Sequence, residues 1–541
     1  MQIVCIGGES TVCHPAKEIG AKAANLARMA TLGLAVPPAF VLPVGLCADI
    51  IGGRTLAERH LREGLKEGIA FLERATGRRF GHHGRPLLVS VRSGAARSMP
   101  GMLETVLNVG CTTRAVRGLV RSTGRPRLAW DCRRRFLERY AETVLGLDPA
   151  PFGARIAALT AEEGVASDRA LDSEAIERLA GDEQALIEHG DDRWLEDADE
   201  QLEHAARAVY RSWMSERAQT YRRLQKLEHL PGTAVTVQAM VFGNGGLASG
   251  AGVAFSRDPS TGSAAPVVDL VLDAQGEDVV SGRRTADSAE MIAGALPALA
   301  ADLGNVLTRL EREFGDVQDV EFTVEDGKLW ILQTRPAKRT PRAALRIAID
   351  LVHERLITPK QALERIADID LASLVEISLV SADDPAVVGI GASGGIAVGR
   401  AVFDSDAARR LASSGDPVVL MRPDTSTADV AGFAVACGIV TSVGARTAHA
   451  ALVARQMGRP CVVGCGGMTI DAAGEHAELG KSAISAGDWV TIDGDSGGIY
   501  LGRRETRTIR PEAELAEVAR WRSELRESAG RRRRTRKSAA A

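Results

Sequence analysis

The chain contains no CxxC pair, no apolar run near the ~18 residues that would cross a bilayer, and no secretory leader pattern. It also has no excess of one charge. Its 541 residues carry 67 Lys and Arg against 70 Asp and Glu, a formal net charge of −3. That balance supplies no global basic field for nucleic acid. The eight cysteines are scattered through the chain. This usage predicts reduced thiols in a cytoplasmic protein rather than a disulfide framework. Cys461 and Cys465 stand four apart but lack partner ligands, which argues against zinc. What remains is ordinary globular composition, 45% hydrophobic and 25% charged. The length is enough for three or four folding units at roughly 150 residues each.

The most informative stretch runs from Cys437 to Gly464. A buried strand over Gly438–Val443, a loop over Gly444–Arg446, a helix and a second strand over Cys461–Val463 are predicted. Thr447 is a candidate N-cap, and Gly458 followed by Arg459-Pro460 stops the helix. His449 then lies in the first helical turn. Unpaired N–H groups and the positive end of the helix dipole disfavour imidazolium there. The neutral ring is a nucleophile, and a phosphorylated ring would be stabilised by the same helix end. A capping or packing histidine is the bland reading of the same position.

Elsewhere the residues allow several sites. Leu26, Met29 and Ala30 fall at helical spacing and Gly33 ends that helix. Lys22 sits in its first half among small residues, where a cation can approach a polyphosphate closely. Arg92 follows a β-branched run, and the backbone of Gly94–Gly101 could fold around phosphate. A helix is expected after that loop, up to residue 109. Val235, Val237 and Ala239 alternate as a strand, and Gly243–Gly246 reads as a tight turn. Residues 318–336 read as a hairpin around Glu325-Asp326-Gly327. A two-residue turn would set Glu321 and Gln333 on opposite faces. A three-residue loop with Gly327 left-handed would gather Asp319, Glu321, Gln333 and Arg335 on one face. Such a face suits Mg²⁺ bound with a polyphosphate.

Taken together these segments resemble the pyruvate, phosphate dikinase family. The signature segments are Thr447-Ala448-His449-Ala450-Ala451, Ala454-Arg455 and Gly458 to Gly464. Others are Ser90-Val91-Arg92-Ser93-Gly94-Ala95, Ser98 to Met102, Asp319 to Thr323, and Leu332 to Arg335. The likeness extends from Lys17 to about Arg522. It implies an α/β and α+β multidomain protein. An ATP-grasp nucleotide-binding domain would span 1–339, with 111–230 mostly helical. A helical connector over 340–385, a swivelling β/β/α phosphohistidine domain over 386–505, and a helix with a solvated basic tail over 506–541 would follow. By the same resemblance His449 is the phosphoryl acceptor. Lys22, Arg92, Gly101, Asp319, Glu277 and Arg335 lie about the ATP phosphates, and Gln238, Met240 and Val241 about the adenine. Glu321 and Gln333 are implied Mg²⁺ ligands. Thr447 matches a threonine targeted by a regulatory kinase.

Two departures stand near the histidine. Ala448 replaces a serine, and Ala445-Arg446 replaces a Gly-Met pair, adding a cation that could touch phosphate or be solvated. The resemblance implies that ATP and inorganic phosphate phosphorylate His449 with release of AMP and pyrophosphate. The family's pyruvate-binding TIM barrel would begin near residue 520, and ~250 residues are needed for one. Pyruvate as final acceptor is therefore expected only with a separate pyruvate- or phosphoenolpyruvate-binding protein. Phosphoenolpyruvate-synthase-like and rifampicin-phosphotransferase-like reactions, or a phosphocarrier without turnover, are the alternatives.

Overall fold

The computed structural model describes residues 2–8, 11–97, 99, 102–187, 193–280, 296–380, 384–424, 429–446, 448–471 and 474–538. The chain forms two compact units. One comprises Met1–Gly245 with Val324–Asp326 and Trp330–Thr334, and the other Gly246–Thr323, Gly327–Leu329 and Arg335–Ala541.

The first unit contains β1 (Val4–Ile6), β2 (Ala39–Leu42), β3 (Arg79–Phe80), β4 (Pro86–Leu87), β5 (Val89–Ala95), β6 (Thr105–Val109) and β7 (Thr233–Ala239). β3 and β4 pair with each other, and the others form one sheet ordered β1-β2-β7-β5-β6. Every pairing in that sheet is antiparallel. Its apolar residues, among them Phe40, Leu42, Val89, Val91, Val235 and Val237, join the helices Thr55–Thr76, Pro126–Tyr140 and Ala198–Arg211 in one core. Burying each such side chain contributes about 1.5–3 kcal/mol. Residues 111–230 are mostly helical. The helix expected before residue 109 is instead strand β6, with Val91 opposite Val106 and Arg92 opposite Thr105. β-Branched Thr105, Val106 and Val109 fit the pleated surface, and pairing with β5 outweighs the helix-forming residues before them.

A four-stranded sheet comprises β8 (Gly250–Phe255), β9 (Val267–Leu272), β10 (Gln318–Glu325) and β11 (Lys328–Pro336), in the order β11-β10-β8-β9; its residues belong to the second unit except Val324, Glu325 and Trp330–Thr334. Gly243–Gly246, expected as a tight turn, does not join paired strands. It lies between β7 and β8, which belong to different sheets. Helices Pro341–His353 and Pro359–Arg365 follow. Pro359 opens the second of these, capped by Thr358 and Gln361 in a capping box. Both helices share a core with Val518 and Trp521 of the helix Glu512–Ser538. That helix continues over the basic run expected to be a solvated tail, as the high helix propensity of Arg and Lys permits.

Between these helices lies a β-rich module. Its strands are β12 (Glu376–Leu379), β13 (Val387–Val388), β14 (Ile390–Ser393), β15 (Ile396–Val402), β16 (Val418–Arg422), β17 (Gly438–Thr441), β18 (Cys461–Val463), β19 (Met468–Ile470), β20 (His476–Leu479), β21 (Ser482–Ser485), β22 (Trp489–Asp493), β23 (Gly498–Leu501) and β24 (Thr506–Ile509). Eight of them order as β13-β23-β22-β15-β16-β17-β18-β14, and β19, β20 and β21 form a second sheet. β15 to β18 run parallel. Val419, Met421 and Val440 face the core shared with the second sheet, while Val418, Leu420 and Ile439 face the helices. Strands buried on both faces read as continuous apolar runs, as these do. β12 and β24 pair antiparallel as a two-stranded ribbon.

Candidate active site

In the first unit, Lys22 lies in the first turn of the helix Ala21–Thr31. That helix start meets strand β5 backbone to backbone. Gly20 has φ 82°, and a Cβ there would lie 2.1 Å from the Gly94 carbonyl oxygen. The contact sets Lys22 beside the end of the strand that carries Arg92. Asn25 of the same helix donates to the Thr334 carbonyl at 2.9 Å, next to Gln333. Gln238, on β7, is buried and its amide donates to the Pro37 carbonyl at 3.2 Å. Met240 and Val241 are half-buried just past that strand. The Met240 N–H is taken by the Leu88 carbonyl at 2.9 Å. Gly101 lies outside the described residues.

The turn of the β10–β11 hairpin is Asp326-Gly327, with φ of 50° and 79°. This is the two-residue turn, not the three-residue loop. Yet the Ala337 N–H bonds the Val317 carbonyl at 2.9 Å. That bond is one residue out of the register the turn would set, so the ladder shifts along its length. Beyond the shift Asp319 meets Arg335. The Arg335 Nε donates to Asp319 Oδ2 at 2.8 Å, and Nη2 lies 3.8 Å from Glu321 Oε1. Burial pushes the Asp319 carboxyl above its ordinary value, against the pull of Arg335. Burial also opposes the Arg335 charge, but Asp319 and Glu321 outweigh it and raise the guanidinium's pKa.

Asp319 Oδ1 is buried without a hydrogen-bond partner among the described residues. An orphaned carboxylate oxygen beside a second carboxylate fits a hard divalent cation. Among the described residues no group of three or more His, Cys, Asp or Glu is arranged to hold a metal. Mg²⁺ bound largely by substrate phosphates and water needs only one or two carboxylates. Glu277 is half-buried in the first turn of the helix Gly276–Val280.

The histidine segment also belongs to the second unit. The helix His449–Met457 is the crossover between parallel strands β17 and β18. Its first residue therefore follows the carboxyl end of a parallel strand, the usual edge for ligand sites in such sheets. Ala448 is the N-cap and makes no side-chain cap bond. The helix therefore starts one residue later than a Thr447 cap would require. Thr447 itself lies outside the described residues. The Ala448 N–H bonds the Ala445 carbonyl at 2.9 Å, which tightens the loop ahead of the helix. The cation of Arg446 is not left to solvent. Its Nη1 donates to Asp269 Oδ1 at 3.4 Å, and the Arg446 backbone N–H donates to Asp269 Oδ2 at 3.1 Å.

Two residues here had no role in the sequence reading. Asp269 stands on β9, and no spacing signal connects it to Arg446, 177 residues away. Burial raises its carboxyl pKa, with Arg446 opposing. Arg455 sits in the Ala-Arg pair and is 1% exposed. A charged residue on the apolar face of a short helix was the available signal.

Residues 53–302 and 292–356 match the family described as pyruvate phosphate dikinase, AMP/ATP-binding domain. The chain belongs to the pyruvate phosphate dikinase family. Residues 415–497 match a second family, the mobile domain of PEP-utilising enzymes. Pyruvate, phosphate dikinase of Clostridium symbiosum is 39% identical over 514 residues, covering 94% of this chain and 59% of that protein. The Rhizobium meliloti dikinase is 41% identical over 524 residues, 93% of this chain and 58% of that protein. The chloroplastic dikinase 1 of Arabidopsis thaliana is 38% identical over 495 residues, 90% of this chain and 51% of that protein. The chain thus spans somewhat over half the length of the curated relatives it matches. No helix among the described residues is long and apolar enough to cross a membrane.

Proposed function

We propose that this chain is a dikinase-type phosphotransferase in which ATP and inorganic phosphate phosphorylate His449. The carrying observation is the placement of His449 as the first residue of the crossover helix after β17, in a chain about 40% identical to named dikinases over nine-tenths of its length. In this reading 1–339 is an ATP-grasp domain, 340–385 a connector, and 386–505 a phosphohistidine domain that swivels.

The first step forms a bond from an imidazole nitrogen of His449 to the β-phosphorus of ATP. The bond from that phosphorus to the α-phosphate oxygen breaks, and AMP leaves. Inorganic phosphate then attacks the terminal phosphorus of the pyrophosphoryl-histidine. The bridging P–O bond breaks, pyrophosphate departs, and phosphohistidine remains. Such transfers depend on positioning and charge neutralisation. Lys22, Arg92 and Arg335 supply cationic contacts to the phosphates, with Gly101 and Glu277 nearby. Gln238, Met240 and Val241 line the adenine side. Glu321 and Gln333, with Asp319 holding Arg335 in place, would hold Mg²⁺, which neutralises phosphate charge when bound.

Onward transfer to pyruvate would use a pyruvate-binding domain or protein outside these 541 residues. A kinase acting on Thr447 would block the site, since a dianion beside the histidine repels polyphosphate. The test is incubation with ATP, Mg²⁺ and phosphate, read by intact mass and nucleotide analysis. A mass gain of one phosphoryl group with AMP and pyrophosphate supports the reading. ADP as the nucleotide product, or water replacing phosphate as the required co-substrate, overturns it.

A further inference from the structure

The residue three positions before His449 is held from two sides. Asp269 takes the Arg446 N–H at 3.1 Å and its Nη1 at 3.4 Å. Arg446 Nε also donates to the Gly391 carbonyl at 3.3 Å. From the other side, Arg455 Nη2 donates to the Arg446 carbonyl at 2.7 Å, and Nη1 donates to the Ala392 carbonyl at 3.2 Å. The Arg455 guanidinium carbon lies 5.2 Å from the Phe255 ring centroid, on β8. Its charge acts on both the Asp269 and the Asp319 carboxyls.

Asp269 is 2% exposed. A buried carboxylate is costly unless a cation and donors meet it. Arg446 provides one of each, through its side chain and its backbone. A loop shifted by one residue along β9 would leave Asp269 buried and unpaired. The pair therefore selects one placement of the loop against the sheet that carries Asp319 and Arg335.

We propose that Asp269 and Arg446 form a positioning latch, braced by Arg455, that registers the His449 loop on strand β9 for phosphoryl transfer from the nucleotide. This rests on the dikinase reading. In this reading the two latch residues are positioning residues that act through the loop. Their effect is on where the histidine is held.

The experiment is single-turnover phosphorylation of the full chain at saturating ATP, beside equilibrium ATP binding. Arg446→Met keeps the stem and removes the cation, and Asp269→Asn removes the charge it meets. Each should slow labelling at least tenfold while the ATP Kd stays within threefold. Arg446→Lys should recover to within threefold of wild type. The double variant should be no slower than the slower single variant, because the two substitutions break one interaction. Labelling within twofold of wild type in Arg446→Met, or losses that multiply in the double variant, would overturn the latch.

Asp269 is buried, so its variant could fail to fold, and Arg446→Met, at a side chain 35% exposed, keeps the test decisive. A wild-type chain that takes no label overturns the dikinase reading instead. In that case amide hydrogen exchange over 442–456 decides for the latch. At least fivefold faster exchange in Arg446→Met supports the docking contact, and unchanged exchange removes it.

Discussion

Gly20 and Gly94 approach so closely that a Cβ on Gly20 would sit 2.1 Å from the Gly94 carbonyl oxygen. Gly20 also has φ 82° and joins two helices end to end. Gly20→Ala should cost about 1–3 kcal/mol for a backbone at φ 82° and ψ 154°, which glycine alone adopts readily, and about 1–3 kcal/mol more for overpacking. The helix start would move away from β5 and carry Lys22 with it. The expected result is a lower melting temperature together with weaker ATP binding. Gly33→Ala provides the comparison, since φ is 72° there and nothing lies within 4 Å of the added carbon. It should show the backbone cost alone and leave ATP affinity unchanged.

His449→Ala should abolish acid-labile phosphorylation while leaving the ATP Kd within about threefold of wild type. Intact mass after incubation with ATP and phosphate reads the first result, and calorimetry the second. Persistent labelling at the wild-type level would reassign the acceptor.

Glu321→Ala and Arg335→Ala should fail in different ways. Glu321 is half-buried at the rim of the cluster. Losing its charge should cost about 2.7–4 kcal/mol in the labelling step, the scale seen when one preorganised electrostatic partner is removed, with little change in melting. Arg335→Ala leaves the buried Asp319 carboxylate without its cation. It should lose about 3–5 kcal/mol of stability as well as activity. Denaturant unfolding separates the two. Equal loss of stability in both variants would contradict the division of roles.

Glu183 is fully buried in the helix Ser173–Ile187. Burial first, and then the Glu138 carboxylate, push its pKa up to about 11. The folded chain therefore keeps a proton that the unfolded chain gives up above about pH 4.3. A raised folded pKa gives stability that is full below the unfolded value and is lost as pH rises. Glu183→Gln should match wild type near pH 4 and exceed it by on the order of 2 kcal/mol at pH 7. Urea unfolding at the two pH values checks the sign, and an equal gap at both would refute it.

Much of the histidine segment was legible because short-range signals agreed there. The strand Cys461–Val463 and the helix stop at Gly458 follow from β-branched runs and a left-handed glycine. The helix start was displaced by one residue, since the chain caps with Ala448 and no side chain contributes. Residues 105–109 form a strand because pairing with β5 decides them, and local propensity carries no record of that partner. In the hairpin, Asp326-Gly327 specifies its own two-residue turn but not the register shift further along. The Asp319–Arg335 contact therefore could not be derived from turn length. Asp269 and Arg446 are far apart in sequence, and residue type alone does not join them.

The ribbon of β12 and β24 pairs Glu376 with Ile509 and Leu379 with Thr506. The chain enters and leaves the β-rich module through neighbouring strands, with the Val380 N–H still bonding the Glu505 carbonyl at 3.0 Å. Topologically, residues 380–505 are a cassette inserted through one clasp and tied to β9 by the Asp269–Arg446 contact. Its excision with a two-residue bridge from Leu379 to Thr506 would close a hairpin. The host helices around Trp521 would keep their contacts, and another folded cassette whose ends lie as close could be spliced into the same clasp.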